Sequence, residues 1–129
     1  MNRRGFSLLE VVVAMGILAL GIGGVMAIFV AATAAHRQAL EETTAAIIAD
    51  TVIAEQRAAF GRNRYSDPVE VKEQPVPGYD LYTVSVMPTV LEREPETSRP
   101  VQVYLEVTVH YQNRGVRRRT VYRTILFRE

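Results

Sequence analysis

The sequence predicts an α+β chain: a long N-terminal helix, apolar in its first half and amphipathic in its second, packed on a small C-terminal antiparallel β-sheet. Three observations carry this prediction. Residues 11–35 contain no ionisable side chain. Residues 36–60 are dense in Ala, Glu, Gln, Arg and Leu, all good helix formers. Three later segments alternate apolar and polar residues with period two, the signature of strands with one buried face. With 129 residues, the chain has room for one small domain beyond its apolar segment.

The apolar helix comes first. From Phe6 to Ala35 it measures about 45 Å at 1.5 Å per residue, more than the ~30 Å hydrocarbon core of a bilayer requires. One transmembrane span over 6–35 is therefore expected. Arg3 and Arg4 precede it, and only His36 and Arg37 follow closely, so the charge bias favours a cytoplasmic N-terminus with the remainder exported. Two other export signals are imitated. Ala32-Thr33-Ala34 supplies the small residues of a secretory cleavage site, but the apolar run before it is too long for one. Arg3-Arg4-Gly5-Phe6 imitates a twin-arginine signal, but such signals are only weakly apolar and no cofactor-binding domain follows. The one charge inside the run's beginning is Glu10, and a carboxylate near the bilayer costs about 2.5–3.5 kcal/mol on insertion scales. That cost points to a partner.

The residues Gly5-Phe6-Ser7-Leu8-Leu9-Glu10, after a short basic leader and before a long apolar helix, resemble the N-terminal signature of type IV pilins and type II secretion pseudopilins. The resemblance implies a pilin-like fold. It implies a prepilin leader over 1–5 oriented by Arg3 and Arg4, a cut after Gly5, and N-methylation of the new terminal residue Phe6. It assigns Glu10 to pairing with the terminal amine of a neighbouring subunit, which sets the register of assembly. The physics agrees: a glycine allows close approach of the peptidase, and a terminal ammonium is the compensating charge a buried carboxylate needs. The implied partners are a prepilin peptidase/methyltransferase, other pilins or pseudopilins, and an inner-membrane assembly platform. The implied location is the inner (cytoplasmic) membrane as a single-pass protein, then a pilus or pseudopilus. Residues 15–24 look like the minor pilin V family, while Ala49-Asp50 and Ala54-Glu55-Gln56-Arg57 resemble both that family and the pseudopilin I family. Ala27 stands where the commonest major pilins carry proline, which disfavours a major subunit.

Past His36 the exported half of the helix runs to Phe60, with Gly61 as its expected stop. Ala45, Ile48, Val52 and Ala59 recur at helical spacing as an apolar stripe for the sheet to cover, with Glu41, Glu42, Asp50 and Arg57 on the opposite face. Residues 61–78, rich in Pro, Gly, Asn, Asp and Ser, read as a connector around a short strand over 69–72. Residues 79–129 read as the sheet, with strands over 79–86, 101–111 and 116–127. Val101, Val103, Leu105, Val107 and Val109 share one face of the second, and Asn113-Arg114-Gly115 suits a tight hairpin into the third. Leu91 to Pro100 reads as a solvated loop.

Several chemistries are disfavoured. The chain has no cysteine, so disulfides and thiolate sites are excluded. Glu92, Glu94 and Glu96 lack the Asp/Asn alternation of a calcium loop, and no metal or cofactor is expected. Arg117-Arg118-Arg119, without aromatic stacking partners, reads as a charged strand edge and not as a nucleic-acid groove. His36 and His110 have no nucleophile or acid at a recognised spacing, so no enzyme is expected. The rival reading is a signal-anchored envelope module that binds nucleic acid or a secreted substrate, in which Gly5 to Glu10 is a coincidence.

Overall fold

The computed structural model describes residues 7–62, 67–113 and 115–128. Arg3, Arg4, Gly5 and Phe6 lie outside the described residues. The chain divides into two units between Leu40 and Glu41.

A single helix, α1, runs from Leu8 to Arg62. Its start is set by Ser7, whose Oγ accepts the Glu10 backbone N–H at 3.4 Å and whose carbonyl accepts it at 3.0 Å, the arrangement of an N-cap. In the first unit every described residue is exposed, and the helix is long and apolar enough to cross a membrane. Such a surface is stable only in lipid or against other apolar helices. At the far end Gly61 does not stop the helix, which continues one residue further; Gly61 has no positive φ. The Nε of Arg62 donates to the Ala58 carbonyl at 3.2 Å and caps the last turn.

In the second unit the helix residues from Glu41 onward cover an antiparallel sheet of order β1-β2-β3-β4. The strands are β1 (Val71–Val76), β2 (Tyr79–Arg93), β3 (Pro100–Asn113) and β4 (Val116–Phe127). β3 shows the alternation cleanly: Val103, Leu105, Val107, Val109 and Tyr111 are buried, and the residues between them are not. Pairing carries this parity outward, Val84 and Val86 of β2 standing opposite Val109 and Val107, and Leu126 of β4 opposite Val103. The helix contributes Ala45, Ile48, Ala49 and Phe60 to this core, with Val52 and Ile53 beside them. Two alanines on the contact stripe let the helix approach the sheet closely. Ala59, expected on the stripe, is exposed, and its neighbour Phe60 is buried instead. There the Phe60 ring lies under the Arg128 guanidinium, 4.2 Å from its centroid, and the Phe60 carbonyl accepts a bond from Arg128. Glu41, expected to face away, is half-buried and accepts a hydrogen bond from Asn113 Nδ2 at 2.5 Å.

The sheet begins earlier than the connector reading allows. β1 takes in Pro75, which a central strand would not tolerate but an edge strand does, because its missing N–H costs no ladder bond. The strand is irregular, with breaks in register around Glu73, whose φ is 42°. Likewise β2 passes through Pro88 and pairs with β3 as far as Arg93↔Pro100. The last β1 partner of β2 is Val86, so Pro88 already stands on a free edge. Beyond it Arg93 reaches Asp67 of the connector at 2.7 Å. The guanidinium holds the Asp67 carboxyl below its usual range. Gly78 and Gly115, at φ 82° and 78°, sit in the β1–β2 and β3–β4 turns, and Asn113↔Val116 is the last pair before the second of these.

Tyr82 and Tyr122 border the helix–sheet core. Burial is the largest cause raising both phenols above 10.0; a Thr44 hydrogen bond opposes it at Tyr82, and Tyr111, Glu42 and Asp50 add to it at Tyr122. A raised folded-state value leaves their contribution intact below pH 10.0 and removes it as pH climbs through the folded values. The chemical-denaturation midpoint is therefore expected to fall above that pH, and the double variant Tyr82→Phe/Tyr122→Phe to fall less steeply.

Candidate functional site

The residues singled out by the sequence occupy the start of α1. Leu8 opens the helix, and Glu10 falls in its first turn, exposed, with its backbone N–H on Ser7. Ser7 was not among the predicted site residues, although Ser-x-x-Glu before an apolar run is the signature of a helix start. The capping matters for Glu10 in two ways. It fixes the backbone that presents the carboxylate, and it places that carboxylate where the helix dipole favours a negative charge. Val11, Ala14, Met15 and Leu18 flank Glu10 along one shallow apolar depression. The carboxylate thus sits at the mouth of a greasy surface, and among the described residues no cation is paired with it.

Four glycines follow at 16, 21, 23 and 24. The helix is unbroken through them, and a Cβ built on any of the four meets nothing within 4 Å. Each costs about 1 kcal/mol relative to alanine in a helix, and among the described residues nothing stands close enough to require the absent side chain. Small residues of this kind suit close helix–helix contacts within membranes. The triple change of Gly21, Gly23 and Gly24 to leucine is expected to keep membrane insertion and block assembly, read by membrane extraction beside a filament preparation.

Elsewhere the fold makes two groupings that spacing in the sequence does not reveal. Ser85 Oγ lies 3.5 Å from His110 Nε2, and it also accepts the Glu73 backbone N–H at 3.0 Å. This contact lies on the open face of the sheet. The register Ser85↔Thr108 beside Thr83↔His110 creates it, and only the strand pairing could have disclosed it. The other grouping is a groove of about 330 Å³ between the helix and β1, bordered by Ile47, Val52, Gln56, Val71, Val76 and Tyr79. Its lining is mainly apolar. Among the described residues no three His, Asp or Glu side chains are grouped to hold a metal. Arg117, Arg118 and Arg119 are all exposed on β4, which is an edge of the sheet as expected.

Residues 1–26 match the family model described as the prokaryotic N-terminal methylation motif. No curated protein and no solved structure matches the chain significantly. The motif implies processing by prepilin peptidase and association with other pilins, and the apolar helix is long enough to anchor the protein in a membrane. The motif at residues 1–26, together with a long N-terminal helix whose second half packs on a four-stranded antiparallel sheet, supports a type IV pilin-like family.

Proposed function

We propose that the protein is a minor pilin or pseudopilin, a structural subunit of a type IV pilus or a type II secretion pseudopilus, with no catalysis of its own. The observation that carries this reading is Glu10 in the first turn of an exposed apolar helix within the methylation motif. Prepilin peptidase cuts after Gly5 and the Phe6 amine is methylated, with Arg3 and Arg4 holding the leader on the cytoplasmic side. Glu10 then meets the terminal amine of a neighbouring subunit. In a low-dielectric bundle an unpaired carboxylate is strongly unfavourable, so the pairing rewards one register between subunits more than it adds net stability. The protein waits in the inner membrane with its sheet exported, and the assembly platform moves it into the filament.

Fractionation tests this reading. In cells with active assembly, the mature chain is expected in sheared or cross-linked filaments beside sibling pilins. A chain that stays wholly in the membrane under those conditions favours the anchored binding module instead.

A further inference from the structure

The β1–β2 and β3–β4 turns lie at the same end of the sheet as Glu41. Tyr82 pairs with Tyr111 in antiparallel register, so the β1–β2 turn at Pro77–Gly78 and the β3–β4 turn at Gly115 sit at one end of the sheet. The Asn113–Glu41 hydrogen bond fastens this end of the sheet to the helix, whereas Phe60 and Arg128 meet at the other end. The turns expose an unusual mixture: Tyr79 at 39%, Leu81 at 67% and Val116 at 60%, with Arg117, Arg118 and Arg119 beside them. Arg117 is ion-paired with Glu73. Arg118 and Arg119 make no ion pair among the described residues. Besides Glu73, the acids near this end are Glu41, which Asn113 engages, its neighbour Glu42, and Asp80 beside Tyr79.

Glu41 follows Ala35, the last residue of the charge-free run, by six positions. Those six residues span no more than about 20 Å, however they are disposed. A bilayer whose surface lies at the Ala35 end of the charge-free run is therefore within reach of these turns.

We propose that this end of the sheet docks on the anionic phospholipid headgroups of the bilayer that anchors the protein's own helix. Arg118 and Arg119 meet lipid phosphates, for which the guanidinium fork is well matched. Tyr79, Leu81 and Val116 settle at the headgroup boundary, where tyrosine and aliphatic side chains are favoured. Each arginine near such a surface shifts the docked population about fivefold, so the pair shifts it roughly thirtyfold, with Asp80 and Glu42 acting against them. Docking needs the anchored helix only and does not depend on filament assembly.

The chain has no tryptophan, so Val116→Trp provides a unique fluorophore. The full-length protein is placed one copy per nanodisc, in phosphatidylcholine alone or mixed with phosphatidylglycerol. With phosphatidylglycerol, the emission is expected to shift to the blue and iodide quenching to drop several-fold. Salt, R118E/R119E and the milder R118Q/R119Q are each expected to reverse the change, and a Leu91→Trp reporter at the far end to show none. Equal iodide access in both lipids overturns the proposal, as does an anionic response that survives R118E/R119E. A response that appears only with several chains per disc also overturns it and assigns the surface to a neighbouring copy.

Discussion

Glu10→Ala is expected to leave the chain inserted in the membrane and processed, and to abolish its entry into filaments. The competing role for this side chain is local, because Glu10 occupies the third position after the Ser7 cap and completes the sequence of a capping box. Losing a favourable charge from the first turn costs about 0.3–1 kcal/mol. That is too little to unmake a helix of 55 residues held in an apolar medium. Glu10→Gln separates the two roles. Glutamine retains the length and hydrogen bonding a capping box uses, but it offers no charge to a neighbour's amine. If pairing is the function, Gln fails as Ala does, measured as the ratio of filament-associated to membrane-associated chain. Wild-type assembly by the Gln variant would show that Glu10 serves its own helix and no other subunit.

The largest expected effect on stability is at Leu105. It lies at the middle of β3, fully buried, between Pro88 of β2 and Thr124 of β4. Truncation to alanine removes buried apolar surface and leaves a cavity, at a cost of about 2–5 kcal/mol. A small domain has about 5–15 kcal/mol in all, so Leu105→Ala is expected to move the denaturation midpoint far down. Leu81→Ala, at an exposed position, should stay within about 0.5 kcal/mol of the parent. Equal losses at both positions would contradict the assignment of the core to this face of β3.

The helix and the inner strands were legible because each satisfies one rule along its whole length. An uncharged run of 25 residues has few fates other than a membrane or a bundle, and β3, paired on both sides, must alternate strictly to bury one face. The errors fall where that constraint lapses. Pro75 and Pro88 argue against a strand only if both neighbours demand an N–H, and at a free edge one does not. Ala59 and Phe60 differ by one step of 100° on the helix, and near the end of the contact the larger ring takes the covered side, helped by Arg128 just past β4. Glu41 faces the sheet because Asn113 satisfies it there, a partner 72 positions away that no local pattern could name. The candidate site divides the same way. Glu10 was readable because a carboxylate breaks an apolar pattern, whereas Ser7 is an ordinary serine until the helix is seen to start beside it.

The central claim is that the chain is a substrate of the prepilin pathway, cut between Gly5 and Phe6. Intact mass spectrometry of the protein extracted from membranes measures it most directly. The account predicts a single mature species lacking Met1 to Gly5 and carrying one added methyl group on Phe6. A chain that retains its leader in cells with an active prepilin peptidase, or one cut after Ala34, would contradict it.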